Sequence, residues 1–247
     1  MSIEQRDISG QVIVLTGAGS GIGAVTAREL LAAGANLVVG DLHAQRLQAL
    51  VQEHPDRVVA VAGDVGDPAT SRQLIDAGTE RWSRVDSVIA NAGVGFYGGL
   101  HDYTEQQIQL MLSTNVLGTI WLARAAIEHY RQHTRAGDIT IIGSVAGLGT
   151  GGGNESVYAA TKAAQIQFGI SLDREVRAEN IRVTVLAPAG VNTHFAAATG
   201  RFGDTPPEQG QFLQPEDVAH AIVTTLRQPR RMRTSMWSMW SLAEANG

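Results

Sequence analysis

The stretch VIVLTGAGSGIG, residues 12–23, decides the fold. A β-branched apolar run ends in a glycine-rich turn, and a helical pattern starts directly behind it. Five more such runs follow: NLVVGD (36–41), VVAVAGD (58–64), SVIANAG (87–93), ITIIGS (139–144) and VTVLAP (183–188). They are almost continuously apolar instead of alternating, as in parallel strands covered on both faces. Helices with clear start signals lie between them. Asp67-Pro68 reads as an N-cap with proline at the first helical position. Thr104 with Gln107 forms a capping-box pattern ahead of a long apolar-periodic helix. Strands separated by helices imply right-handed βαβ crossovers. The sequence therefore predicts one α/β domain over residues 1–247, a single doubly wound parallel sheet with helices on both faces. RMRTSMWSMWSL (231–242) alternates enough for one more strand.

The bulk numbers exclude several function classes. A chain of 247 residues buries roughly three quarters of its unfolded surface. Having no cysteine, it lacks disulfides, thiolate metal sites and a cysteine nucleophile. A net charge of −5 disfavours a nucleic-acid partner, and the basic cluster RQPRRMR (227–233) reads as a solvated end. No apolar run approaches ~18 residues, so no membrane span is expected. MSIEQRDISG has neither a basic n-region nor an apolar h-region, so it does not read as a signal peptide. The expectation is a soluble cytoplasmic protein. His129 and His133, at i and i+4 without a third ligand, read as a solvated helix end and not as a metal site. Residues 192–213, the least regular stretch, are expected to form a substrate lid, and 230–247 a tail. Met232, Met236, Trp237, Met239 and Trp240 in that tail are expected against the sheet edge or a neighbouring subunit.

The turn after the first strand has the spacing Gly17-xxx-Gly21-x-Gly23, not G-x-G-x-x-G. The physical logic is the same. Through Gly17, Ser20, Gly21, Ile22 and Gly23 the backbone can approach a pyrophosphate closely, and the following helix offers free N–H groups and a positive dipole end. No Gly-Lys-Ser/Thr follows, which argues against a triphosphate loop. Asp41 ends the second strand, where a carboxylate grips ribose hydroxyls and repels a 2′-phosphate. Leu42 and His43 beside it supply no arginine, although Arg46 stands a turn further on. NAD is the expected cofactor. Asp64 and Val65 are placed at the adenine, and Asn91, Ala92 and Gly93 where a ligand crosses the carboxyl edge of the sheet.

TGAGSGIG, Asp64-Val65, ANAG (90–93), Asn115, Ser144, YAATK with Tyr158 and Lys162, and PAGVNT (188–193) occur in this order. On these motifs the chain, from about residue 8 to about 226, closely resembles the short-chain dehydrogenase/reductase family in its common shorter-chain branch. Two departures are visible: Pro188-Ala189 where Pro-Gly is usual, and Ala90 where asparagine is frequent. The resemblance implies a Rossmann-like oxidoreductase that moves a hydride between nicotinamide and a secondary alcohol or ketone. It makes Tyr158 the general acid/base. Ser144 binds the substrate oxygen, Lys162 also holds the nicotinamide ribose, and Asn115 holds a relay water. Pro188, Val191 and Thr193 join the cofactor contacts, and a homotetramer or dimer through the long helices is implied.

The residues support that chemistry. Tyr158 and Lys162 share a helix face. A free phenol titrates near ~10, and an ammonium about 4 Å away contributes at most roughly 4 kcal/mol at an effective dielectric of about 20, bringing the phenol toward ~7. Desolvation reduces that gain. GLGTGGGNES (147–156) is expected to line the pocket, with Phe96, Tyr97, His194, Phe195 and Phe202 as pocket or lid residues. Two other readings stand beside this one. An NADP-dependent 3-oxoacyl thioester reductase would share every catalytic residue; Asp41 argues against it, as does a tail lacking Asp-Gly-Gly. A non-catalytic redox sensor would have no need of Ser144, Tyr158 and Lys162 together.

Overall fold

A computed structural model describes residues 5–133, 135–150, 153–193, 195 and 212–243. Its strands are β1 (Val12–Thr16), β2 (Asn36–Asp41), β3 (Val58–Ala62), β4 (Ser87–Ala90), β5 (Gly137–Ile142), β6 (Ile181–Pro188) and β7 (Met236–Met239). They form one seven-stranded sheet in the order β3-β2-β1-β4-β5-β6-β7, every pairing parallel. The helices are α1 (Gly21–Ala32), α2 (Gln48–Glu53), α3 (Pro68–Trp82), α4 (Glu105–Met111), α5 (Gly118–Gln132), α6 (Ser156–Val176) and α7 (Pro215–Arg227).

Successive side chains of β1 point to opposite faces, and each face has its own core. Val12 and Val14 pack with Leu74 of α3, Leu122 of α5 and Ile166 of α6. Ile13 and Leu15 pack with Leu30 of α1 and Ile222 of α7. Double burial explains the continuous apolar runs of β1, β2, β4, β5 and β6, whereas the run of β3 is not covered on both faces: it is an edge strand, with Ala60 and Ala62 exposed. The expected caps form: Asp67 accepts the Ala69 N–H at 2.8 Å, and Thr104 and Gln107 bond reciprocally. The long helix is not uniform, because Leu112–Leu117 forms a π-helical turn between α4 and α5. The whole rod, Glu105–Gln132, has an 18-residue window of mean hydropathy 1.3, half of it buried inside the protein.

Three sequence expectations meet the structure differently. The basic cluster is not simply solvated. Arg230 reaches Asp138 at 2.8 Å, and Arg233 pairs with Asp173. Asp138, on β5, also holds Arg6 at 2.7 Å and Arg182 of the adjacent β6 at 2.6 Å. His129 is not at a solvated end either. It is buried, with Nε2 accepting the Val85 N–H at 3.1 Å and its ring 4.3 Å from that of His133. Trp237 and Met239 of β7 pack with Val191 on the core, whereas Met232 and Met236 are exposed. The lid expected over 192–213, with His194 and Phe202, lies mostly outside the described residues.

Candidate active site

Strand order reverses between β1 and β4, which opens a crevice at their carboxyl ends, the usual ligand position in such sheets. Asn91 builds it. Its side chain donates to the carbonyls of Thr16 at 2.9 Å and Gly17 at 3.2 Å, and the N–H groups of Asn91 and Ala92 donate to Thr16 Oγ1. At Gly23 a Cβ would stand 2.0 Å from the Gly17 oxygen, so only glycine lets α1 start this close behind the turn. Ser20 makes no side-chain cap and the first turn of α1 carries no acid, leaving its N–H groups to a ligand.

One cleft gathers almost every residue singled out from sequence. Gly17, Ser20, Gly21, Ile22 and Gly23 line it at the turn, Asp41, Asp64 and Val65 at the ends of β2 and β3, and Asn91, Ala92 and Gly93 after β4. Ser144, Tyr158, Lys162, Pro188, Val191 and Thr193 close the other end. Asp41 ties this wall together: Oδ2 accepts the Gly19 N–H and Oδ1 the His43 N–H, both at 3.0 Å. Asp64 Oδ1 accepts the Gly66 N–H at 2.8 Å. These residues fit an adenine dinucleotide, with donors at the helix start for pyrophosphate and a fixed carboxylate one strand away for a ribose. Arg46 also lines the cleft, and its stem packs on the turn, since a Cβ on Gly19 would lie 2.6 Å from Arg46 Cβ.

Tyr158 and Lys162 sit one turn apart on α6, both buried, with Lys162 Nζ 5.7 Å from the phenol ring centroid. Nζ donates to the Ile142 carbonyl at 2.9 Å. Burial pushes the Lys162 ammonium down to about 7, so near neutrality the lysine is poised between its charged and neutral forms. The electrostatic help this lysine gives the phenol is thus limited by the cost of burying its own charge. Ser144, at the end of β5, opens a short turn over Val145–Leu148, and its Oγ accepts the Ala146 N–H at 3.2 Å.

Asn115 does not line the cleft. It is fully buried behind it, inside the π-helical turn. Its Oδ1 accepts the Val94 N–H, and its Nδ2 donates to the Val94 carbonyl and to Thr161 Oγ1, at 2.8, 2.8 and 2.9 Å. Thr161 in turn donates to the Tyr158 carbonyl at 2.7 Å. The side chain therefore clamps the segment after β4 to the turn of α6 that carries the phenol. The main-chain carbonyl of Asn115 accepts from Thr119 Oγ1 at 2.7 Å. Sequence reading missed the roles of Thr161 and Thr16; their bonds to Asn115 and Asn91 span 46 and 75 residues, which no local pattern displays.

The short chain dehydrogenase family model matches residues 11–202. An oxidoreductase of Bacillus subtilis is 29% identical over 236 residues, which is 93% of this chain and 66% of that one, so this chain spans about two thirds of that relative. A 3-ketoacyl-(acyl-carrier-protein) reductase from Brucella melitensis, solved with NADH, is 26% identical with a TM-score of 0.86, covering 96% of this chain and all of that one. A serine dehydrogenase solved with NADP+ is 24% identical with a TM-score of 0.85 over 95% and 96% of the two chains, a likeness of fold. With the sheet, the glycine turn and the tyrosine–lysine helix already in place, the chain belongs to the short-chain dehydrogenase family of oxidoreductases.

Proposed function

We propose that this oxidoreductase transfers a hydride between NAD(H) and a secondary alcohol or ketone, as a single catalytic domain. The observation that carries the reading is the joining of Tyr158, Lys162 and Ser144 with the Asp41 wall in one cleft. In oxidation the substrate hydroxyl gives its proton to the Tyr158 oxygen; in reduction Tyr158 returns it. Ser144 holds the reacting oxygen, and Lys162 stabilises the phenolate and binds the nicotinamide ribose. Asn115, through Thr161, keeps the phenol in place. A bound nicotinamide supplies the hydride chemistry, held by the α1 turn, Asp41, Asp64, Val65, the 91–93 segment, Pro188, Val191 and Thr193.

Asp41 supports NAD over NADP, because its carboxylate would repel a 2′-phosphate. The second reading, NADP-linked reduction of a 3-oxoacyl thioester, draws on Arg46 in the same wall for the cofactor and on the likeness to the 3-ketoacyl-(acyl-carrier-protein) reductase for the substrate. Steady-state kinetics with NAD+ and NADP+ in parallel decides the cofactor, a kcat/KM at least about tenfold higher with NAD+, near ~1.4 kcal/mol of discrimination, upholding NAD(H); turnover of a secondary alcohol or simple ketone in preference to a 3-oxoacyl thioester upholds the first substrate. We further propose a cytoplasmic location and a homo-oligomer, the latter supported by the exposed Leu112 and Leu117 on the long helix. Light scattering that gives a monomeric mass at micromolar protein would rule that out.

A further inference from the structure

The chain leaves β4 as a strap, residues 94–103, that is anchored at both ends. At its start Asn115 accepts the Val94 N–H and donates to the Val94 carbonyl, both at 2.8 Å. At its far end the buried Tyr103 places its hydroxyl between the carbonyls of Phe96 at 3.1 Å and Asn154 at 3.2 Å. The Asn154 carbonyl also accepts the Gly98 N–H at 2.8 Å. Asn154 stands just ahead of α6, whose first turn carries Tyr158. The strap is therefore tied to this helix on both sides of the phenol. One tie is Asn154 at the entry; the other is the bond from Asn115 to Thr161, whose hydroxyl donates to the Tyr158 carbonyl.

Between its anchors the strap lies against the phenol ring. A Cβ on Gly95 would stand 3.0 Å from Tyr158 Cδ2 and 2.8 Å from Phe195 Cζ, so any side chain there would displace one ring or the other. Tyr97, two residues on, packs its own ring on the phenol, with centroids 6.0 Å apart at 40°. Tyr103, Met111, Ala146 and Tyr158 form one buried cluster, so a shift of the strap is passed to the phenol. Burial first, and then the neighbouring Glu155 and Asp102, raise the Tyr103 pKa above the usual phenol value, which keeps its proton available to the two carbonyls through the neutral range.

Resting on the hydride-transfer reading above, we propose that Tyr103 is a positioning residue for the acid/base. Its hydroxyl holds the strap backbone against the Tyr158 ring and so fixes where the phenolic oxygen meets the substrate. Tyr103 itself does not line the cleft, so its effect on the reaction passes through Tyr158. A misplaced acid/base slows the chemical step, whereas the turn ahead of α1 and the Asp41 wall, which would bind the cofactor, are left as they are.

The test compares the wild type with Tyr103→Phe, Gly95→Ala and the double variant. Each is assayed with 2-butanol, cyclohexanol and 1-phenylethanol and with NAD+ and NADP+, and binding sites are counted by fluorescence titration with reduced cofactor. Tyr103→Phe removes one oxygen. Gly95→Ala pushes on the phenol from the strap backbone, and carries the test if Tyr103→Phe does not fold. Each single variant is expected to lose about tenfold in kcat per cofactor-binding site, with KM for the cofactor unchanged. A strap released by Tyr103→Phe can yield to the added methyl, so the double variant should lose much less than the product of the two single losses. A merely structural role would lower Tm and the number of binding sites but leave kcat per site at the wild-type value. That result in either variant would overturn the proposal, and so would two losses that simply multiply. Both leave hydride transfer intact. No turnover by the wild type of these alcohols, or of the matching ketones with reduced cofactor, would overturn the hydride-transfer reading and this inference with it.

Discussion

Replacing Lys162 by methionine should make the cofactor-free protein more stable while removing its activity. The side chain is buried, and burial alone brings its ammonium from 10.5 to about 7. That gap corresponds to roughly 5 kcal/mol of cost for keeping the charged form inside the fold. Methionine fills the same space without the charge, but it forfeits the 2.9 Å bond to the Ile142 carbonyl. An unpaired buried carbonyl costs about 1–3 kcal/mol, leaving a net gain of about 2–4 kcal/mol. For a chain of this size that is a rise in Tm of very roughly 5–15 °C. The pH dependence fixes the sign. Between about pH 7 and the unfolded lysine value the unfolded chain holds more protons than the folded one, so wild-type stability rises with pH in that window. Below pH 7 both states are protonated and the full penalty applies. Calorimetry of wild type and variant from pH 6 to 9.5 should therefore show the largest gap at pH 6 and a shrinking one above 7. A variant less stable at pH 6, or a gap that ignores pH, would refute the reasoning.

Three further outcomes follow from other groups. Asp138→Asn removes the carboxylate shared by Arg6, Arg182 and Arg230, so urea unfolding should show a loss of about 3–5 kcal/mol; less than 1 kcal/mol would mean that the three guanidiniums do not depend on it. Burial first, and then the neighbouring His133, lower the pKa of His129, whose neutral Nε2 accepts the Val85 N–H. Its contribution is therefore present above the unfolded value of about 6.5 and lost as pH falls below it, and His129→Gln should flatten that acid limb in a stability–pH profile. Asp41→Ala frees the N–H groups of Gly19 and His43 and takes away the charge that opposes a 2′-phosphate. Its KM for NAD+ should rise about tenfold and the NAD+/NADP+ ratio should fall, whereas an unchanged ratio would remove Asp41 from cofactor choice.

The parts of this molecule that were legible in sequence are those determined locally. The central strands are buried on both faces, and that alone makes them continuous apolar runs. The cap at Asp67 and the box at Thr104 are one-turn contacts that the sequence displays directly. The glycine turn and the Tyr158–Lys162 spacing belong to the same class, which is why the expected residues converge on one cleft. What escaped reading depends on distant partners. Arg230 and Arg233 looked like a solvated cluster until the fold brought Asp138 and Asp173, 92 and 60 residues away in the chain, against them. His129 occupies a helix face whose burial depends on where the segment at Val85 runs. The π-helical turn at Leu112–Leu117 barely alters the apolar period, yet it lies at Asn115, whose clamp on Thr161 joins two elements 46 residues apart.

The proposed role of Tyr158, acid/base of a nicotinamide-linked oxidoreductase, is open to direct test. Reduced-nicotinamide formation should be followed by absorbance for the purified protein across a panel of secondary alcohols, with Tyr158→Phe alongside. Turnover with NAD+ is expected to fall by at least about a hundredfold in the variant, while cofactor binding is retained. Comparable turnover in Tyr158→Phe would contradict it.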